Sequence, residues 1–405
     1  MTESLTRPRP VGREPGCRER PATVAEAAEL LRTSTGPVLV EGAGTSLGWA
    51  GTVDAPDLVL ETAGLQGLLT HNPADMTASV RAGTPLLALQ DALAADGQWL
   101  ALDPPAARRG GTVGGLLAAG DAGPSRLRYG GLRDLVIGVT LVLADGTVAR
   151  SGGHVIKNVA GYDLAKLVHG SLGSLALIAE VVVRLHPRPA ASLTLTGTAD
   201  ATQATAAALA LMASQLEPSA VEWVSDGASG QLHVRTDGTP ATVEAAGRGL
   251  RELLARTGVV LAPLDEAEAA AVWQAHADAV LGEDDETVLR IAGLPSELAG
   301  VAGHAAEAAR RAGLSSAVVS SAALGTHTVR LHGPGARAHA DAVTAVRQHV
   351  LARGGNVLLR RHSAELDALV DVLGPAPSTA PLLRRVKEQF DPAGRLAPGR
   401  FSPWF

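Results

Sequence analysis

The run Gly42-Ala43-Gly44-Thr45-Ser46-Leu47 follows directly on the apolar stretch Val38-Leu39-Val40. Small side chains in such a loop let successive backbone N–H groups turn inward around an anion, and a pyrophosphate is a natural occupant; a plain surface turn is the alternative. The spacing Gly42, Gly44, Gly48 imitates the dinucleotide fingerprint of a doubly wound parallel sheet, but that fingerprint needs a helix immediately after the loop. Gly48, Gly51, Asp54 and Pro56 interrupt the segment before the next apolar run, Leu58-Val59-Leu60, so a crossover helix there is not expected.

A second cluster, Thr112-Val113-Gly114-Gly115, comes some 70 residues later. Asp103-Pro104-Pro105 precedes it, Gly123 and Tyr129-Gly130 follow, and Gly170-Ser171-Leu172-Gly173-Ser174 returns after a helix. From Gly110 to Gly131 the glycines recur too densely for stable helix or sheet, which marks a loop that hugs something. An extended dinucleotide needs several such close approaches, which side chains larger than Gly, Ala or Ser obstruct.

In order and spacing these clusters resemble the FAD-binding domain of the vanillyl-alcohol oxidase and p-cresol methylhydroxylase superfamily, which cradles its cofactor between two α+β lobes. The likeness spans nearly residues 20 to 190. Within it, Gly152-Gly153-His154-Val155-Ile156-Lys157-Asn158-Val159-Ala160-Gly161-Tyr162-Asp163-Leu164, with Lys166-Leu167, is most similar to the branch of glycolate dehydrogenase FAD-binding subunits E. The tail Phe390-Asp391-Pro392-Ala393-Gly394-Arg395-Leu396-Ala397-Pro398-Gly399-Arg400 resembles the same branch.

The resemblance implies one FAD. It assigns Gly42, Ala43, Gly44, Thr45, Ser46 and Leu47 to the pyrophosphate loop, and Asp103, Pro104, Thr112, Gly114 and Gly115 to the flavin side. Gly123, Gly173 and Ile178 complete the implied pocket. Glu41 and Ala43 stand where the wider superfamily often has arginine and glycine, which makes the charge beside the phosphates less favourable. His154 and Ala176 also depart from the branch. Covalent members attach FAD through a histidine in the first loop, or a cysteine or tyrosine elsewhere; this loop has no histidine, so attachment is expected to be non-covalent. Lys157, Tyr162 and Asp163 are placed near the cofactor by the same likeness, but Asp163 reads equally well as the cap of the helix carrying Leu164, Leu167 and Val168.

The elements that must hold these loops follow from periodicity. Thr23-Val24-Ala25-Glu26 has capping-box spacing and opens a helix, which ends a mobile leader over residues 1–20. Two lobes are expected, at about 21–75 and 76–190. A strand near 76–81 leads to Thr84-Pro85 as N-cap and first helical residue, Asp145-Gly146 makes a hairpin turn, and an alternating run covers Leu175 to Leu185. Pro187 and Pro189 then close a domain of residues 1–190. Over 191–361 a strand–helix–strand–strand–helix pattern occurs twice, near 192–257 and 287–361, as expected of an α+β cap domain with an antiparallel sheet and helices on one face. Residues 362–405 read as a helical, then Pro/Gly-rich tail that packs back. The fold class is therefore α+β throughout.

Composition limits the partners. Hydrophobic residues make up 46% of the 405, and 46 glycines with much alanine stand in for scarce aromatics. A net charge of -6 leaves nucleic acid an improbable partner. The single cysteine, Cys17, excludes an internal disulfide and any iron–sulfur cluster ligated by this chain alone. No run approaches a membrane span and no signal peptide is evident, so a cytoplasmic chain is expected, any membrane association running through partners. His332, His339, His349 and His362 lack metal-ligand spacing, and no metal site is expected. Related 2-hydroxy-acid dehydrogenase catalytic subunits carry a His-Gly-x-Gly-Asn-x-His motif; Gly354-Gly355-Asn356 lacks its histidines, which argues against independent catalysis. Of Arg360 and Arg361, neighbours on a strand, at most one faces a substrate carboxylate.

The resemblance thus implies an FAD-binding oxidoreductase subunit that serves oxidation of a small 2-hydroxy acid, glycolate to glyoxylate. Its partners would be another FAD subunit and an iron–sulfur subunit. A self-sufficient FAD oxidase or dehydrogenase of another small alcohol or acid is the second reading, and a structural subunit with weak or no FAD the third. No residue is singled out as a catalytic base.

Overall fold

The computed structural model describes residues 16–51, 53, 55–155, 161–227 and 229–405. They form two compact units, one of residues up to 122 with 130–188 and 375–405, the other of 123–129 with 189–374. Ile156 to Ala160, including Lys157, and Asp54 lie outside the described residues.

The first unit opens with β1 (Cys17–Glu19), α1 (Val24–Thr33), β2 (Val38–Glu41) and β3 (Leu58–Glu61), the strands forming a parallel sheet in the order β1-β3-β2. The sequence places Cys17 to Glu19 in a mobile leader; instead they make an edge strand. Cys17 N donates to Asp57 O at 2.9 Å, and the guanidinium groups of Arg18 and Arg20 reach Glu61 at 3.0 and 2.7 Å. The arginines that look like a solvated leader are thus the strand's own anchors. Thr23 does cap α1: its Oγ1 accepts from Glu26 N at 3.1 Å, while the Glu26 carboxylate accepts from Ala22 N at 2.8 Å.

Next come β4 (Leu68–Asn72), β5 (Thr77–Arg81), α2 (Leu86–Ala94), β6 (Gln98–Trp99) and α3 (Val113–Ala119). They are followed by α4 (Arg126–Tyr129), whose residues group with the second unit, and by α5 (Leu132–Leu135), β7 (Val136–Val142) and β8 (Val148–Gly152). The lobe closes with α6 (Leu164–Val168), β9 (Leu177–Arg184) and β10 (His186–Pro187), the last pairing with β6. Its main sheet is antiparallel, in the order β4-β5-β9-β7-β8. Because β4 pairs with β5, this lobe begins before residue 76, where the sequence reading divides the two. Asp145-Gly146 turns the β7–β8 hairpin, with Thr147 N donating to Asp145 Oδ1 at 2.8 Å and Gly146 at φ 83°.

Two local expectations need correction. Pro85, not Thr84, holds the cap position of α2, because Thr84 Oγ1 instead accepts from Gly67 N at 2.8 Å. The glycine-dense stretch also contains a real helix, α3, capped by Thr112, whose Oγ1 accepts from Gly115 N at 3.2 Å. A methyl group on Gly114 would fall 2.6 Å from Ala82 Cβ, so the glycine that weakens helix propensity is what lets α3 lie against the end of β5.

β9 is buried on both faces over Leu177 to Ala179 and forms the wall common to the two lobes. Ile178, Val181 and Val183 join Val80, Leu89, Leu116 and Val139 in one core; Leu177 and Ala179 face Leu31, Leu58, Leu60 and Leu396 in another. Each buried Leu, Ile or Val among them contributes about 1.5–3 kcal/mol.

The second unit runs β11 (Ala191–Ala199), α7 (Ala201–Met212), β12 (Ala220–Ser225), β13 (Gly230–Gly238), α8 (Pro240–Ala255), β14 (Ala262–Pro263) and α9 (Glu266–Leu281). It continues with β15 (Thr287–Ala292), α10 (Leu298–Arg311), β16 (Ser315–Ser321), β17 (Thr326–His332), α11 (Ala336–Leu351), β18 (Asn356–Arg361) and α12 (Ala364–Asp367). The eight strands lie in the order β14-β11-β13-β12-β16-β17-β15-β18, every neighbouring pair antiparallel. Read from its outer edge, each half has its fourth, first, third and second strand, and the halves join at β12 and β16. This is the internal repeat written in the sequence. Trp223, Leu232, Leu289 and Val329 from the strands pack with Ala208, Leu254, Leu298 and Val346 from the helices. Helices are not confined to one face, however. Trp273 and His276 of α9 bond Thr194 Oγ1 at 2.9 Å and Glu222 Oε2 at 2.8 Å, on side chains that alternate away from Leu195, Val221 and Trp223.

The C-terminal segment starts its return later than residue 362. Leu366 and Val372 remain in the second unit's core, and Leu359 N donates to Val372 O at 3.0 Å. From residue 375 the chain belongs to the first unit, with α13 (Ala380–Phe390) and then a bridge on β2, where Val38 N donates to Arg395 O and Ala397 N to Val38 O, both at 2.8 Å.

Candidate functional site

β2 ends at Glu41 and delivers the chain into residues 42–47. No described residue between β2 and β3 is helical; Leu47 N donates to Gly44 O at 3.4 Å and Trp49 N to Ser46 O at 3.1 Å, so the loop is a series of tight turns with Gly44 at φ 75°. The absence of a crossover helix is the feature that separates it from a dinucleotide-binding βαβ unit.

This loop forms one wall of a groove in the first unit. Thr112 and the first turn of α3 form the opposite wall, and Leu172, Gly173, Ala176 and Ile178 form the floor leading into β9. About 670 Å³ of space lies along these walls, part of it open solvent. The two glycine clusters approach closely: a methyl group on Gly42 would lie 2.7 Å from Thr112 Oγ1, and one on Gly115 would lie 3.0 Å from the same atom. Leu172 holds a left-handed φ of 51° in this floor, a conformation costly for a branched residue, with its N–H on Ala118 O at 2.7 Å.

The residues singled out from the sequence are largely brought together. Gly42, Ala43, Gly44, Thr45, Ser46 and Leu47 line the groove with Thr112, Gly114, Gly115, Gly173 and Ile178. Asp103 and Pro104, before the turn at Pro105–Arg109, are not among the lining residues, and Gly123 falls in the short segment grouped with the second unit. Val40, Thr62, Ala82, Ala118 and Arg400 line the groove without having been singled out. The first four are small or apolar and carry no sequence signal of their own.

Arg400 is different in kind. It arrives through the returning C-terminal segment, is 4% exposed, and donates through Nη1 to Trp49 O and, at 3.4 Å, to Gly51 O. Its Nε is buried without a hydrogen-bond partner, and burial pulls its pKa down to about 10. The loop 42–47 itself contains no charged side chain.

Glu41, which the sequence sets as an unfavourable charge beside the loop, is 3% exposed and accepts from Arg18 Nη1 at 3.0 Å. Its counter-ion comes from the edge strand β1. His154 bonds Thr77 Oγ1 at 2.9 Å and Asn72 Nδ2 at 3.2 Å, a structural reason for histidine there. Asp163 caps α6, accepting from Lys166 N at 3.4 Å, and Tyr162 is 89% exposed.

In the second unit the histidines do not converge. His339 bonds Gly333 O at 2.8 Å, His349 stacks on His304, His362 pairs with Asp367 and His332 with Asp285. Among the described residues no group of three or more His, Cys, Asp or Glu is placed to hold a metal ion, and no helix is long and apolar enough to cross a membrane.

Comparison with known proteins agrees with this geometry. Residues 17–152 match the family described as FAD binding domain. The glycolate oxidase subunit GlcE of Escherichia coli (strain K12) is 42% identical over 130 residues, 32% of this chain and 37% of that protein. The matched stretch therefore spans little more than a third of the Escherichia coli protein. An uncharacterized FAD-linked oxidoreductase of Mycobacterium tuberculosis is 29% identical over 441 residues, 98% of this chain and 92% of that one. The crystal structure of p-cresol methylhydroxylase with substrate bound superposes with a TM-score of 0.73 at 16% identity, over 95% of this chain and 88% of that one.

The groove fits FAD on its own terms. Two glycine-bearing walls stand so close that a Cβ on Gly42 would close on Thr112, and a buried arginine nitrogen lacks a partner at their edge. Residues 17–152 thus carry an FAD-binding domain, with the groove built between its two lobes, in a chain that shares the fold of p-cresol methylhydroxylase.

Proposed function

We propose that this chain is the FAD-binding subunit of a glycolate dehydrogenase-like complex, in which a 2-hydroxy acid, glycolate, is oxidised to glyoxylate and the electrons pass to an iron–sulfur partner. The observation that carries the reading is the 130-residue stretch 42% identical to a glycolate oxidase subunit. FAD, when bound, supplies the hydride acceptor at flavin N5. The protein's part is to bind and orient. The N–H groups of residues 42–47 would hold the diphosphate, and Thr112, Gly114, Gly115, Gly173 and Ile178 would flank the rest of the cofactor. With one cysteine this chain cannot ligate a cluster by itself, which supports a reading with the cluster on another subunit; a second FAD subunit is proposed beside it.

A second reading, a self-sufficient FAD-linked oxidoreductase of another small alcohol or acid, is favoured by the likeness along 98% of the chain to the mycobacterial FAD-linked oxidoreductase. A visible spectrum of the chain purified alone separates the two. Flavin released by acid precipitation is expected, since attachment is proposed to be non-covalent. Flavin that stays oxidised under anaerobic glycolate, yet bleaches once the partner subunits are added, supports the complex. Bleaching of the isolated chain by glycolate or another small acid supports self-sufficiency. A chain that takes up no FAD overturns both.

A further inference from the structure

A dinucleotide brings two phosphate charges into a groove whose phosphate loop, Gly42 to Leu47, offers backbone dipoles but no cation. Its preceding residue, Glu41, is acidic, and Arg18 already serves that carboxylate and Glu61 at 3.0 Å each. Arg400 lines the same groove, and its partners place it at the phosphate end: the carbonyl oxygens of Trp49 and Gly51 end the turns that the loop begins. Its position is fixed from behind. Arg395 O and Ala397 N bracket Val38 on β2, Phe401 N donates to Ala50 O at 2.9 Å, and Ala397 packs with Leu39, Val53 and Val59.

An arginine 4% exposed ordinarily pairs with a carboxylate, since a buried unpaired charge is costly. Arg400 has no acidic partner among the described residues, and its Nε has no partner of any kind. A charge kept in such a place implies an anion that comes and goes.

We propose that Arg400 is the cation that pairs with the diphosphate of the bound dinucleotide, delivered to the loop by the C-terminal segment. The inference rests on the FAD reading and deepens it: the electrostatic half of the phosphate site comes from the far end of the chain, more than 350 residues from the loop. The guanidinium fork would complement the backbone N–H groups of the loop, and FAD uptake would draw the segment tighter onto β2.

The test uses the full chain, depleted of flavin and titrated with FAD at low and high salt, as wild type, Arg400→Gln and Arg400→Lys. Arg400→Gln is expected to weaken FAD binding about ten- to a hundredfold and to flatten its salt dependence, with Arg400→Lys intermediate. ADP, which retains the diphosphate, should lose affinity in parallel. Thermal melting without FAD provides the control: the Gln variant should melt no lower than wild type, because the unpaired buried charge is gone. Unchanged FAD and ADP binding by Arg400→Gln overturns the inference and leaves the FAD reading standing. So does a loss of binding that comes with a lower flavin-free melting temperature and is not relieved by lysine, which would make Arg400 a structural residue. No FAD uptake by the wild type overturns the FAD reading and this inference together.

Discussion

Lys387 Nζ lies 2.6 Å from Asp391 Oδ2, one helical turn apart, and the pair ties the C-terminal segment to the floor of the cofactor groove. The same ammonium donates to Ser174 O at 2.7 Å and Leu396 O at 2.9 Å. The carboxylate, 1% exposed, also accepts from Leu396 N at 2.6 Å and Arg395 N at 3.0 Å. Every oxygen of Asp391 is thus engaged, and burial pulls the Lys387 pKa down against the opposing effect of its partner.

Replacing Asp391 by Asn leaves a largely buried ammonium without its counter-charge. The expected cost is about 3 kcal/mol, the usual penalty for breaking a buried pair from one side. Urea denaturation of wild type and Asp391→Asn measures it. The flavin should be lost at lower urea in the variant, since residues 395–400 lose their anchor next to β2.

Gly42→Ala places a methyl group 2.7 Å from Thr112 Oγ1, the cap of α3. Relief requires the two walls of the groove to part. The expected result is a sharp fall in FAD occupancy with little change in far-ultraviolet circular dichroism, because neither wall needs to unfold. Gly114→Ala is a stability test instead: its methyl group meets Ala82 Cβ at 2.6 Å and Ala82 O at 3.0 Å, for an expected loss of about 1–3 kcal/mol by overpacking.

Two histidines make the second unit sensitive to acid. Burial first, with His276 nearby, pulls the His233 pKa from 6.5 down to about 4; burial first, with Arg290 nearby, does the same to His327. Thr196 Oγ1 lies 3.0 Å from one ring and Ser320 Oγ 2.8 Å from the other. Folded values below the unfolded one mean that the unfolded chain takes up protons first. This contribution to stability is therefore complete above pH 6.5 and is lost as the pH falls toward 4. Urea midpoints across that range should fall less steeply for His233→Gln and His327→Gln than for wild type.

Trp223 is the largest fully buried side chain of the second core, and its Nε1 donates to Ala199 O at 2.9 Å. Trp223→Ala should cost about 3–5 kcal/mol through the cavity it leaves. Loss of the cooperative transition at physiological temperature, read by calorimetry, is the corresponding observation.

Local signals in the chain determine a good deal about this protein. Small residues after an apolar strand mark Gly42 to Leu47, Thr23 marks a helix start, and alternation marks β9, since each depends on a few neighbouring residues. The repeated strand and helix order of residues 191–361 is equally local and points to an antiparallel sheet, while the order of strands within it comes from the tertiary structure. What only the tertiary structure decides is which distant segments meet. Cys17 to Glu19 are a strand only because Leu58 to Leu60 accept them, and the glycine at position 114 is explained by Ala82, which leaves no room there for a side chain as α3 packs against it. Arg400 enters the groove through a returning segment that no periodicity announces. Hydrogen bonding and helix propensity act within a few residues, whereas burial of apolar surface and of charge is settled by the whole packed chain, and the groove's cation belongs to the second kind.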